Sequence, residues 1–162
     1  MVGSHVRGPR VRDLMQTSVV VVDPEDNAAE VEGTLVKRGI GGAPVVSDGK
    51  LVGVISRSDI LKRLVVGQSL AEAISDYYRD YGLAGEAVLP VQDPGFLQQC
   101  SVRKMMADRL ITVEPDTDVG SAAQLMLEHG IHRVLVVEGS KLVGIVTSFD
   151  LLRLLSDSPW SR

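Results

Sequence analysis

The hydrophobic positions of the chain follow one order of patterns twice. Each copy begins with a run of β-branched residues, continues with a stretch in which apolar residues recur every three or four positions, and then has two short apolar runs joined by turn residues. A second stretch with helical spacing closes each copy. Short apolar runs indicate strands and spacings of three and four indicate a helix, so each copy predicts strand, helix, strand, strand and helix.

The residues between these patterns support the prediction. Asn27 and Asp118 can cap the first helix of each copy, and Gly39 and Gly130 suit the left-handed position that ends a helix. Gly-containing turns join the two later strands of each copy. The predicted elements are first strands at 19–22 and 110–113, hairpins at 43–46 with 51–55 and at 134–137 with 142–146, and second helices that begin near Asp59 and Asp150.

The two copies are related in sequence as well as in pattern. A shift of 91 residues aligns 11–64 with 102–155 without a gap, and 16 of the 54 pairs are identical. A unit of about 55 residues buries little core alone. We therefore expect an α+β fold in which two β-α-β-β-α repeats pack sheet to sheet around a pseudo-twofold axis, with two related clefts.

The alignment also predicts the domain boundaries. Residues 11–66 form the first repeat and 101–157 the second, with a helical insert or linker at 67–100 that contains all three tyrosines. Ser69 and Glu72 could cap a helix in this insert, followed by a loop. Residues 1–10 are an N-terminal segment, which in part resembles a cloning remnant, and 158–162 are a tail.

Composition and charge exclude several classes of protein. The chain has 162 residues, 44% of them hydrophobic, and a formal net charge of −4, which argues against nucleic acid as a partner. No apolar run approaches the roughly 20 residues that span a bilayer, so we expect no membrane partner. Cys100 is the only cysteine, and no secretory signal is recognisable, so a cytoplasmic protein without disulfides is expected.

Several motifs occur in both copies and together resemble a known family. They are Val-Arg-Asp-Leu-Met at 11–15, Gly-Ile-Gly-Gly-Ala-Pro-Val-Val at 39–46, Leu-Val-Gly-Val-Ile-Ser-Arg-Ser-Asp at 51–59, and their counterparts at 102–106, 130–137 and 142–150. The chain resembles a tandem pair of CBS domains, a Bateman module of the stand-alone type. This resemblance implies a non-catalytic regulatory module whose clefts bind AMP, ADP, ATP or S-adenosylmethionine.

Ser56 with Asp59, and Thr147 with Asp150, close the two copies and allow two interpretations. A hydroxyl at the N-cap with a carboxylate three residues later is a capping box, which is a complete structural explanation. The same helix N-terminus can bind phosphate, and the carboxylate can accept hydrogen bonds from ribose hydroxyls. The family resemblance implies the ribose role for the aspartate, and both roles can hold at once.

A candidate phosphate site lies in the second copy only. His132 and Arg133 are either solvated residues at a strand entry or, as a similar pair in the nucleotide-sensing subunit of the AMP-activated protein kinase implies, phosphate contacts. The first copy has Gly41 and Gly42 instead. We therefore expect the cleft with Asp150 to bind better than the cleft with Asp59. The resemblance implies that the remaining ligand contacts are Thr17, Ser18, Val19, Ile40, Ile131 and Ile145.

No catalytic or metal-binding constellation is found in the sequence. His129 and His132 have helical spacing, but no third ligand accompanies them, and no nucleophile has a plausible base. We expect no catalytic cofactor and no enzyme activity. The leading hypothesis is a sensor of an adenosine nucleotide, and its alternatives are a sensor of S-adenosylmethionine and a structural or oligomerisation adaptor without a physiological nucleotide. A hydrolase that acts on the bound nucleotide is disfavoured, because the sequence has no acidic metal cluster near a nucleophile. A homodimer is expected from the apolar second helices, and an effector protein is a further partner.

Overall fold

The computed structural model describes residues 8–64 and 95–156. These residues form two compact units, one containing residues up to 19 together with 111 onward, and the other containing 20–110. Each unit therefore combines one repeat with a short segment that precedes the other repeat in the sequence. We call residues 8–19 the first leader and residues 95–110 the second leader. The predicted capping of a helix by Ser69 and the three tyrosines of the insert lie outside the described residues.

The unit of residues 20–110 contains the first repeat. Its elements are α1 (Ala28–Arg38), β1 (Gly42–Ser47), β2 (Lys50–Ser56) and α2 (Arg57–Leu64), and its leader has short 3-10 turns at Leu97–Gln99 and Val102–Lys104. Strands β1 and β2 form an antiparallel hairpin. Asp48 and Gly49 form its turn with positive φ angles, which a tight two-residue hairpin requires.

The other unit contains the second repeat. Its elements are β3 (Thr112–Val113), α3 (Val119–His129), β4 (Arg133–Glu138), β5 (Lys141–Thr147) and α4 (Ser148–Ser156), with a 3-10 turn at Val11–Asp13 in the first leader. The sheet order is β3-β4-β5, with β3 parallel and β5 antiparallel to β4. The two hairpins have a register shift at equivalent places, Val45/Val46 and Val136/Val137. The expected α+β fold with two related repeats is confirmed.

The first strand of each repeat is shorter than the sequence predicts. Residues 19–22 contribute a single parallel bridge, from Val22 to Val45, and 110–113 shorten to the two residues of β3. The boundary between the two units falls within each run, at Val19/Val20 and at Leu110/Ile111. Each run therefore begins in a leader, and only its later residues belong to the unit that contains the neighbouring strand. The second helices also begin earlier than expected, at Arg57 and Ser148, so that Asp59 and Asp150 lie in their first turns.

The first helices are capped as the sequence predicts. The Asn27 side chain accepts a hydrogen bond from the Ala29 N–H at 2.9 Å, and Asp118 accepts one from the Ser121 N–H at 2.9 Å. Gly39 and Gly130 end these helices in the left-handed conformation, at φ 64° and 60°. The helices turn apolar stripes inward, and the core residues of each unit form one cluster.

Each leader is attached to the edge of a hairpin by two backbone hydrogen bonds. Gln16 and Ile145 exchange N–H to O=C bonds of 2.9 and 3.0 Å, and Ala107 and Val54 exchange bonds of 2.9 and 2.8 Å. A glycine precedes the strand residue in both cases. A Cβ atom on Gly144 would lie 2.8 Å from the Met15 sulfur and 3.1 Å from the Gln16 carbonyl oxygen, so the leader can approach only a strand without a side chain there.

Within the described ranges, no helix combines the length and the apolar content that crossing a membrane requires.

We predict that Gly144→Ala destabilises the protein by about 1–3 kcal/mol, because the new methyl group displaces the Met15 side chain and crowds the Gln16 backbone carbonyl, which bonds to β5. Gly33→Ala is the matched control: Gly33 lies within α1, where a Cβ would meet nothing within 4 Å. Alanine should raise stability there by about 0.5–1 kcal/mol. Urea denaturation of the variants measures both changes, and equal stability of Gly144→Ala and the wild-type protein would contradict the account of the leader.

Candidate functional site

The N-terminus of α4 is closed by a reciprocal capping box. The Thr147 backbone N–H donates to Asp150 Oδ2 at 2.8 Å, and the Asp150 backbone N–H faces Thr147 Oγ1 at 3.4 Å. The Thr147 hydroxyl also donates to Oδ2, at 2.6 Å. Both bonds from Thr147 to the carboxylate therefore end on the same oxygen, which leaves Oδ1 for other donors.

The Asp150 carboxylate is buried and strongly hydrogen-bonded. Asp150 is 4% exposed and is a buried charged residue. Burial on its own would raise the pKa of this carboxyl, but the hydrogen bonds from Thr147 and Gln16 and the charge of Arg153 lower it below the ordinary value. Asp150 is consequently an anion at neutral pH, and an acceptor of hydrogen bonds only.

Gln16 donates to the remaining oxygen of Asp150. Its side-chain Nε2 lies 3.0 Å from Oδ1 and 3.2 Å from Oδ2. Gln16 is also the leader residue whose backbone bonds to Ile145. These bonds fix the main chain of Gln16 at the strand edge, and so fix the point from which its side chain extends. Arg153, one helical turn after Asp150, has a guanidinium nitrogen 3.8 Å from Oδ1. The sequence analysis did not identify Gln16 or Arg153 as site residues.

The first repeat has the same capping box with a different neighbour. The Ser56 N–H and hydroxyl donate to Asp59 Oδ2 at 3.0 and 2.5 Å, and the Asp59 N–H donates to Ser56 Oγ at 3.2 Å. The leader residue that bridges to Val54 is Ala107, which has no polar side chain to offer. Among residues 8–64 and 95–156, no group donates to Asp59 Oδ1, and Asp59 is only partly buried.

Arg133 lies beside the capping box of the second repeat. It pairs directly with Thr147 across β4 and β5, and directly opposed residues of an antiparallel pair have side chains on the same face. The Arg133 side chain is exposed, and partial desolvation lowers its pKa without removing its charge at neutral pH. His132 is exposed as well, and its carbonyl accepts a hydrogen bond of 2.9 Å from the N–H of Ser148.

The first repeat has no room for an arginine at the equivalent place. Gly42 pairs with Ser56 as Arg133 pairs with Thr147. A Cβ on Gly42 would lie 2.6 Å from the Ile55 carbonyl oxygen, which is backbone and cannot swing aside. The cation near this helix N-terminus is Arg57 instead, half-buried and 3.8 Å from Glu32. The sequence predicts a cation at 132–133 in the second repeat and none at the equivalent 41–42. The backbone contact at Gly42 explains this difference, because it excludes any side chain there.

The predicted site residues fall into two groups. The unit with the second repeat contains Thr17, Ser18, Val19, Ile131, His132, Arg133, Ile145, Thr147 and Asp150, and the unit with the first repeat contains Ile40, Gly41, Gly42, Ser56 and Asp59. In the first group, Thr17 and Ser18 are exposed immediately after Gln16, and Ile145 is the strand residue of the leader bridge. In the second group, the Gly41 carbonyl accepts a hydrogen bond from the Arg57 N–H at 3.0 Å. A joint role for Asp150 and 40–42 stays a prediction.

In the part of the chain that the structure describes, no three His, Cys, Asp or Glu side chains gather as a metal site. His129 and His132, which the sequence does not favour as a metal site, belong to no such group among those residues.

The lowered pKa of Asp150 has a consequence for stability against pH. Because the folded-state pKa lies below the unfolded value of about 3.9, the stabilisation is present above that value and is lost as the pH falls through the folded pKa. We predict that Asp150→Asn costs about 1–3 kcal/mol at pH 7, since its amide cannot accept from both Thr147 and Gln16. The gap to the wild-type protein should shrink below about pH 4.

Urea denaturation between pH 3 and pH 7 measures this gap. Asp48→Asn removes one carboxylate from an exposed turn and controls for net charge, because asparagine tolerates the positive φ found there. A gap for Asp150→Asn that stays constant over the whole pH range would contradict the assigned role of the charge.

Comparisons with known proteins agree with the repeat and the fold. The family model for the CBS domain matches residues 11–66 and 102–157. The uncharacterized protein MJ1426 of Methanocaldococcus jannaschii is 34% identical over 154 residues, which cover 90% of each chain. Two longer relatives from the same archaeon are 29% and 27% identical, and the chain spans only 33% and 44% of their length.

Solved structures of CBS pairs are similar as well. CBSX2, crystallised in complex with AMP, is 28% identical with a TM-score of 0.68, over 93% of this chain and 98% of that one. The CBS domain pair of protein MJ0100, in complex with 5-methylthioadenosine and S-adenosyl-L-methionine, is 26% identical with a TM-score of 0.62, over 91% and 99% of the two chains. With both of its repeats matched by the family model, the chain belongs to the CBS domain family and contains a tandem pair of these domains.

Proposed function

We propose that the protein is a non-catalytic regulatory module that binds an adenosine nucleotide of the AMP, ADP or ATP class. The observation that carries the proposal is an ionised aspartate in the first turn of α4, with an arginine on the facing strand. A nucleotide presents two vicinal hydroxyls and an anionic phosphate, and this part of the unit offers an acceptor for the first and a cation for the second.

The ribose hydroxyls would bind the aspartates. Asp150 Oδ2 is already occupied by Thr147, so Oδ1 is the oxygen that would accept from a ribose hydroxyl. In Asp59, likewise, Oδ2 accepts both bonds from Ser56. Its Oδ1 has no donor among the described residues and could accept from a ribose hydroxyl. A charged acceptor that lies partly out of water makes stronger hydrogen bonds than an exposed one.

The phosphate would lie at the N-terminus of α4. The N-terminus of a helix carries a partial positive charge, which favours an anion. The N–H groups of Ser148 and Asp150 already donate within the chain, to the His132 carbonyl and to Thr147 Oγ1. Arg133 adds a full positive charge on the strand opposite Thr147. His132 and the Thr147 hydroxyl are further candidate contacts, and Ser56 would have that part in the first repeat.

The base would lie against apolar side chains and exposed backbone. Ile145 and Ile131 are half-buried in one unit, and Ile40 is half-buried in the other. Thr17, Ser18 and Val19 follow the leader bridge with exposed or half-buried positions, so their backbone groups can read the edge of an adenine. Gly41 and Gly42 leave space in the first repeat.

One feature of the site favours a nucleotide over S-adenosylmethionine. Arg133 would attract a phosphate, whereas S-adenosylmethionine has a cationic sulfonium and no phosphate. The AMP complex of CBSX2 supports the nucleotide, while the ligands of the MJ0100 pair support the alternative. The adaptor without a physiological nucleotide is the remaining rival, and a buried aspartate that only caps a helix would fit it. A cytoplasmic location and an effector protein as partner stay predictions.

Thermal or urea denaturation with added ligand tests the proposal. We predict that one of AMP, ADP or ATP at about 100 times its dissociation constant stabilises the protein by roughly 2.7 kcal/mol. Asp150→Ala and Asp59→Ala together should abolish the effect, and each alone should reduce it. If only S-adenosylmethionine stabilises the protein, the site binds S-adenosylmethionine and not a nucleotide. If none of the four compounds stabilises it, the result supports an adaptor without a physiological nucleotide.

We further propose a homodimer through the second helices. Phe149 and Leu152 on α4 are 75% and 56% exposed, and apolar groups of this size gain free energy when a second copy covers them. Light scattering at micromolar concentration should return twice the 17.4 kDa of one chain. Leu152→Glu should shift the protein to a monomer, while Leu127→Glu on α3, also exposed, is the control. A wild-type monomer would contradict the proposal.

A further inference from the structure

We propose that the Gln16 side chain competes with ligand for Asp150, so that the second-repeat site must break a Gln16–Asp150 hydrogen bond before it accepts a ribose. This inference rests on the proposed function. Gln16 would lower the apparent affinity of the second-repeat site for its ligand, and the first repeat has no equivalent residue.

Geometry limits what Asp150 can offer to a ligand. The two bonds from Thr147 end on Oδ2, so Oδ1 holds the larger share of the remaining acceptor capacity. Gln16 Nε2 lies 3.0 Å from Oδ1. A carboxylate only accepts hydrogen bonds, so the amide of Gln16 can face it only through its NH₂ group. This NH₂ donates to the oxygen where a ribose hydroxyl would donate.

The backbone holds Gln16 close to Asp150 and leaves its side chain free to move. The two bonds between Gln16 and Ile145 fix the main chain at the strand edge. The residue itself is exposed, whereas Asp150 is 4% exposed. Rotation of the Gln16 side chain into solvent therefore removes the Gln16 hydrogen bond from Oδ1 without moving the leader, and the amide then bonds to water. The Arg153 guanidinium stays 3.8 Å from Oδ1, beyond hydrogen-bonding distance.

The first repeat is the natural control for this arrangement. Ala107 makes the same two-bond bridge, to Val54, and lies as close to its hairpin as Gln16 does. Alanine has no donor, and Asp59 Oδ1 has none from elsewhere in residues 8–64 and 95–156. The acceptor of the first repeat is therefore ready for a ligand, while that of the second is occupied from within the chain. This effect opposes the advantage that Arg133 gives to the second repeat.

Calorimetric titration with AMP isolates each site. In an Asp59→Ala background, Gln16→Ala and the similarly sized but donor-free Gln16→Met should each tighten AMP binding about tenfold, since a hydrogen bond to a charged group holds most of the population in the closed form. In an Asp150→Ala background, Ala107→Gln should weaken AMP binding by up to about tenfold for the same reason.

A ligand without ribose hydroxyls separates competition from a merely structural effect. 2′,3′-Dideoxy-AMP does not use Asp150, so Gln16→Ala and Gln16→Met should leave its affinity unchanged, whereas a general change in the leader would alter both ligands alike. The competition is overturned if AMP binding depends on Asp150 but is the same in the Gln16 variants, or if it is weaker in both of them. Either result leaves the proposed function standing. The absence of AMP binding in the wild-type protein and all variants overturns both.

Discussion

The backbone bridge between each leader and the edge of a hairpin is the contact on which the candidate site depends. It consists of only two hydrogen bonds, between Gln16 and Ile145 in one unit and between Ala107 and Val54 in the other. It can form because the preceding strand residues, Gly144 and Gly53, have no side chain where the leader methionine packs. The bridge and the missing Cβ atom let this end of the leader lie beside the helix N-terminus that follows the strand. Other backbone hydrogen bonds, such as the one from the Val11 N–H to the Thr117 carbonyl, hold the rest of the leader.

The capping boxes show how one pair of residues can serve both the fold and the ligand. Ser56 and Thr147 bind one oxygen of their aspartate, which satisfies N–H groups at the start of α2 and α4. The second oxygen is not needed for capping. The sequence allowed either a structural or a functional interpretation of these motifs, and the geometry makes the two compatible, because they use different atoms of the same carboxylate.

Much of the fold was predictable from the sequence because it depends on local patterns that occur twice. Gly39 and Gly130, the turns of the two hairpins and the Ser/Thr-x-x-Asp boxes each act within a few residues, and all have their predicted conformation. The shortened first strands were not foreseen, since the boundary between the units falls within each run and the hydrophobic pattern does not show that boundary. The direct pairing of Arg133 with Thr147 likewise needed the register of β4 and β5.

The role of Gln16 could not be predicted for a different reason. It contacts Asp150, a residue 134 positions away, and the alignment of the repeats shows only that glutamine replaces alanine after a shared methionine. The assignment of each leader to a unit with the other repeat is what brings the two residues together. The available signal was that the repeat alignment places a polar residue in one copy where the other copy has an apolar one. This signal becomes informative only once Asp150 is known to lie next to Gln16.

The most direct test of the account is a crystal structure of the protein grown with saturating AMP. We predict a ribose hydroxyl within hydrogen-bonding distance of Oδ1 of Asp150 or Asp59, with the phosphate at the N-terminus of the helix that carries that aspartate. At Asp150, the Gln16 side chain should have turned away from the carboxylate. AMP bound elsewhere, with both aspartates engaged only in their capping boxes, would contradict the central claim.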